Sequence, residues 1–245
     1  MPLLMVMSGR FQAWWSLLLL WLAPTSGFAV ATSQSNPSLP SDLTALEARL
    51  VAEPTNVSVL VRTALEYHNK AALGGDGLAK LLKRTKSCLE VALQQEPRNT
   101  FARALLGSAI IISAREPFWP GTKIRRVREG LTLMDAALQD DPNDPDARFT
   151  RASNNLFLPD LFERKEVVRT DFEWLQVRAD RQEFAQDFRQ YIFLYHGFAH
   201  QRWGDLKRAR RLWESGVAID PGSKVADELR RVLAGHSDLN QINAK

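Results

Sequence analysis

One turn signal returns along this chain at a long, near-regular interval, and it restricts the fold more than any other feature. It reads "AEPTN" around Pro54, "QEPRN" around Pro97, "DDPNDP" around Pro142 and "IDPG" around Pro221. The prolines are 43, 45 and 79 residues apart. The last gap is nearly twice the others, as if one such turn near Asp180 had lost its proline. Each proline follows an acidic residue and an apolar run of helical period. Proline cannot continue that helix, but it suits the turn into the next. A period of about 40 residues in a helical chain is the mark of repeated helical units.

The residues between the turns favour helix. Ala, Leu, Arg, Glu and Gln dominate, while Gly (13) and Tyr (3) are few. Each interval has room for two helices. The spacing predicts hairpins at 57–72 with 78–95, 100–115 with 122–139, 146–157 with 164–178, and 182–203 with 206–219. A leading helix over 42–52 and a trailing one over 224–234 are expected to cap the ends of the array.

The stretch "HGFAHQRWGDLKRARRLWESGVAIDPG" resembles a tetratricopeptide repeat. Gly197 is followed by Gly204-Asp205, Ala209, Trp213, Gly216 and Pro221 at the spacings that family uses. The other units match less fully: Ala64, Leu89, Ala92 and Pro97; Gly107, Gly130, Met134, Ala137 and Pro142; and Ala152, Val168, Phe172 and Leu175. The first three carry extra residues, expected as long loops between their helices. The resemblance implies an all-α fold of stacked helical hairpins forming a right-handed solenoid with terminal capping helices over 41–235. It also implies a protein-binding scaffold.

Catalytic motifs do not emerge. His196 and His200 share a helix face, but "HGFAH" lacks the acid of H-E-x-x-H, so both are read as packing residues and no metal is expected. "LGGDG" at 73–77 lacks the Lys-Ser/Thr of a phosphate loop. Cys88, the only cysteine, lies on an apolar helix face and reads as a buried structural thiol. The chain is read as a binding protein without a cofactor rather than an enzyme; a hydrolase using His196 and His200 is the weakest alternative.

Residues 1–31 have the layout of a secretory signal peptide: one charge at Arg10, the apolar run "SLLLLWLA", and Ala29 and Ala31 in A-x-A spacing. An uncleaved anchor over 11–31 is the alternative. Residues 32–40 read as a disordered linker and 236–245 as a flexible tail. An exported protein, periplasmic in a Gram-negative host, is therefore expected. The 32 Lys and Arg nearly balance the 28 Asp and Glu, which argues against a nucleic-acid partner. Membrane contact is expected only through the N-terminal segment or through the basic helix faces "KIRRVR" (123–128) and "LKRARR" (206–211).

Two greasy loops stand out. "AREPFWPGTK" (114–123) carries Phe118 and Trp119, with Lys123 and Arg125 following. "NNLFLPDLFER" (154–164) carries Phe157, Phe162 and Arg164. They are read either as lids or as docking surfaces for protein partners in the cell envelope, and an ion pair of Arg164 with Asp171 is expected to brace the second. From the resemblance, Val61, Leu65, His68, Phe101, Ser108, Ile111, Ile112, Phe149, Ser153, Leu194, Phe198 and Arg202 line an apolar concave face. That face suits a protein segment or, alternatively, a lipid or other apolar ligand carried through the periplasm. Oligomeric state is not specified by any of these features.

Overall fold

The structure, a computed structural model, describes residues 32–33, 39–40, 42–74, 77–116 and 118–235. Residues 1–31, expected as a signal peptide or anchor, and 236–245, expected as a tail, lie outside the described residues. Those described form helices α1 (Leu43–Ala52), α2 (Val57–Ala72), α3 (Leu78–Gln95), α4 (Thr100–Ser113) and α5 (Pro120–Asp140). There follow α6 (Pro145–Leu156), α7 (Lys165–Asp180), α8 (Gln186–Arg202), α9 (Leu206–Ile219) and α10 (Lys224–Leu233), with a 3₁₀ turn at Asp160–Phe162. No strand occurs among the described residues.

Four hairpins, α2–α3, α4–α5, α6–α7 and α8–α9, stack side by side, so that the first helices α2, α4, α6 and α8 are successive neighbours. Helix α1 packs on α2 at one end and α10 on α9 at the other. The extra residues of the first two units lie mainly in longer second helices rather than in loops: α3 has 18 residues, as its expected bounds imply, and α5 has 21, against 14 in α9. Pro120 explains the early start of α5, because proline lacks only an N–H that the first helical position leaves unpaired anyway.

The recurrent turn has one chemistry. Two residues after the proline, Asn56, Asn99, Asp144 and Ser223 cap the next helix, accepting from the amides of Val59, Ala102, Ala147 and Ala226 at 2.9–3.2 Å. The acid before the proline holds the turn: Glu53 and Glu96 accept from the Asn56 and Asn99 amides, and Asp141 and Asp220 from the Asn143 and Gly222 backbone. The turn before α8 has no proline and no side-chain cap, and Gln182 takes a φ of 61° in it.

Small residues set the contacts within hairpins. A Cβ on Gly107 would lie 2.6 Å from the Gly130 carbonyl oxygen, and one on Gly130 would lie 2.4 Å from that of Gly107. Helices α4 and α5 therefore touch backbone to backbone. The largest core cluster centres on Phe149, whose ring packs edge-on to Phe188, Tyr195 and Phe172 at 5.2, 5.4 and 6.4 Å.

Candidate functional site

The concave side carries a cleft of about 430 Å³ across the N-terminal halves of α2 and α4. Val57, Val61, Leu65 and Phe101 form its apolar wall, and Arg62, Glu96, Arg98 and Asp144 its polar rim. Thr32 and Leu39 of the N-terminal segment also line it. Further along the same side, the Ser33 amide donates to Asp146 Oδ1, and the Ser33 carbonyl accepts from Ala185 N at 3.5 Å. That contact falls where α8 lacks a cap of its own. Ser33 is buried. A backbone amide in such a place needs a partner, and the α6 and α8 N-termini supply the groups. Burial pushes the Asp146 carboxyl up to about 6, against the pull of the Ser33 amide.

Several residues expected on the concave face belong to the core. Phe149, Leu194 and Phe198 are buried in the central cluster, and none of them borders the cleft. Leu65 is nearly buried, and Ile111 is wedged between two clusters. His68, Ser108 and Asn154 instead link α2, α4 and α6. His68 Nε2 meets Ser108 Oγ at 2.7 Å, and Ser108 donates to Asn154 Oδ1 at 2.9 Å. Burial lowers the His68 pKa to about 4. The groove that remains is smaller than the sequence suggests, and its lining is mixed rather than apolar.

The two greasy loops differ. Phe118 and Trp119 are 88 % and 72 % exposed and pack edge-on to each other at 5.9 Å. Arg125 is exposed one turn into α5, but Lys123 is buried and is not available to a partner. In the second loop Leu158 is buried, Phe157 packs against the central core, and Phe162 packs against the cluster that holds Val127 and Leu131 of α5. Arg202 ties this loop down by donating to the carbonyls of Leu156 and Leu158 and to Asp160. Arg202 thus braces the loop and lines a cavity of about 350 Å³ beneath it rather than the cleft of α2 and α4. Arg164 pairs with Asp135 at 2.6 Å, not with Asp171.

Asp171 is the centre of a buried network that the sequence reading missed. It accepts from Arg148 Nη1 at 2.6 Å and from Arg151 Nε and Nη2 at 2.8 and 2.9 Å. Arg151 also reaches Asp135, so α5, α6 and α7 are joined to Arg164. The visible signal was two arginines three apart on one helix, facing an acid on the next.

His196 stacks on Phe172 at 5.5 Å with 13° between planes, and His200 tilts against it at 4.9 Å. Both are packing residues; neither His196 nitrogen finds a hydrogen-bond partner, and burial lowers its pKa to about 3. Among the described residues no three His, Cys, Asp or Glu gather as metal ligands. Cys88 is buried, which raises its thiol pKa. No described helix is long and apolar enough to cross a membrane.

These features define a class: a stacked array of helical hairpins, with close small-residue contacts inside α4–α5 and α8–α9 and acid–proline turns before α2, α4, α6 and α10. The fold is that of tetratricopeptide-repeat proteins. It is similar to the crystal structure of a thermophilic TPR protein from Thermus thermophilus, with a TM-score of 0.61 over 79% of this chain and 87% of that one. At 15% identity the likeness is one of fold. No family model and no curated protein matches the sequence.

Proposed function

We propose that this chain is an exported scaffold that holds an extended segment of a protein partner along its concave side, in the cell envelope. The fold supports interaction with proteins in general. The observation that carries the finer reading is the seating of Ser33. A stretch of ordinary chain, its own N-terminal segment, is gripped there through main-chain groups by Asp146 and Ala185, while Leu39 reaches the apolar wall of the cleft. Main-chain contacts recognise extended peptide, and side-chain pockets such as that of Val61 and Phe101 add selectivity.

The test uses the full chain with residues 32–40 replaced by Gly-Ser of equal length, and a labelled peptide of sequence TSQSNPSLP. Saturable binding, weakened by Asp146→Asn and by Phe101→Ala, supports the reading. Absence of binding by a folded chain removes the groove as a peptide site.

A further inference from the structure

The hairpin loops form one edge of the array. Arg115 at the end of α4 reaches the Ala72 carbonyl at the end of α2 at 3.2 Å, and Arg202 at the end of α8 reaches the loop after α6. Of the seven large apolar side chains most exposed among the described residues, five stand on this edge: Leu73, Phe118, Trp119, Leu161 and Leu206. None of the described residues covers them, and a set of exposed apolar tips of this kind is a contact surface.

Cations surround these tips. The second helix of each hairpin begins here, where the helix dipole favours acids. Yet α3, α5 and α9 have no acid in their first turns. Lys80, Lys207 and Arg208 stand there instead, with Arg125 one turn further along α5, all exposed and outside the ion pairs found among the described residues. Lys165 opens α7, and its ammonium lies 5.8 Å from the Trp203 ring. The opposite edge is acidic, because the turns there use Glu53, Glu96, Asp141, Asp144 and Asp220 as holders and caps. Apart from Glu163, the described exposed acids of the loop edge are engaged, Glu116, Asp160 and Glu166 by Arg126, Arg202 and Arg169 and Asp205 as the α9 cap, so this edge is left with cations outside ion pairs.

We propose that the loop edge seats on a bilayer surface bearing anionic headgroups. The exposed rings of Phe118 and Trp119 enter the boundary between headgroups and acyl chains, and Lys80, Arg125, Lys207 and Arg208 face the phosphates. Apolar tips ringed by cations match the two layers of such a surface. The concave side then remains open, so this contact stands apart from peptide binding in the groove.

Trp119 itself reports the outcome. The full chain and its Trp119→Phe variant are mixed with vesicles of acyl-brominated phosphatidylcholine, with or without a third of the lipid replaced by phosphatidylglycerol. The difference between their emissions isolates Trp119 among the seven tryptophans. We expect that difference to be quenched on anionic vesicles and to persist on neutral ones. Arg125→Gln with Lys207→Gln should raise the anionic lipid needed for half-quenching about 25-fold, and added salt should act in the same direction. Trp119 emission left unquenched on sedimented anionic vesicles, equal quenching on neutral vesicles, or no association with anionic vesicles would each overturn the proposal. Peptide binding in the groove is read by a different signal, so either idea can fail alone.

Discussion

The indole of Trp213 fills the space that a side chain at Gly197 would need. A Cβ there would lie 2.1 Å from Trp213 Nε1, whose N–H donates to the Leu194 carbonyl at 3.0 Å. Helices α8 and α9 thus lock ring against backbone in the unit whose sequence matches the repeat pattern most fully. Gly197→Ala should lower stability by about 1–3 kcal/mol, read by urea unfolding. With Trp213→Leu in the same chain the two losses should be less than additive, because the smaller side chain vacates the contested space.

His68 and His196 make the fold acid-sensitive. Each is held neutral when folded, with a pKa of about 4 and about 3, against 6.5 when free. Below pH 6.5 the unfolded chain takes up protons that the folded chain refuses, so stability present above that pH is lost as it falls toward 4 and 3. Asp146, raised from 3.8 to about 6, contributes with the opposite sign between those values. Thermal unfolding at near-neutral pH and at about pH 5 should show a lower Tm in acid. His196→Phe should shrink that drop without lowering the neutral Tm, since both ring nitrogens lack partners.

Asp171 neutralises Arg148 and Arg151 inside the fold. Asp171→Ala leaves two largely buried guanidinium groups without their carboxylate and should destabilise by about 3–5 kcal/mol. Asp171→Asn, which retains shape and one acceptor, should lose less. Denaturant midpoints of the two variants decide it; equal losses would mean that the lost carboxylate charge, not the packing of the side chain, sets the effect.

The two greasy loops should separate cleanly in a stability assay. Trp119→Ala, at a fully wet tip, should change unfolding free energy by no more than about 0.5 kcal/mol. Leu158→Ala, in the second loop, empties a core position and should lower it by about 2–5 kcal/mol.

What the sequence by itself determined is the local order. The boundaries of α2, α3 and α9 coincide with those expected from periodicity and turns, because apolar spacing, a breaking proline and a capping Asn or Asp act within a few residues of one another. The pairing of small residues with bulky ones in the last unit was legible for the same reason: the repeat pattern records contacts between adjacent helices. Tertiary structure alone decided which apolar residues face water. Phe149, Leu194 and Phe198 carry the spacing of a groove lining, yet Phe172 of α7 and Tyr195 of α8 cover Phe149, Trp213 of α9 packs on Phe198, and Leu194 lies in the same buried cluster. Phe118 and Phe162 look alike in sequence, but only Phe162 meets a partner surface, on α5. Asp171 gathers two arginines from another helix, and Asp146 meets Ser33 across 113 residues. Burial and pairing depend on what approaches from elsewhere in the chain, and a local pattern carries no record of that.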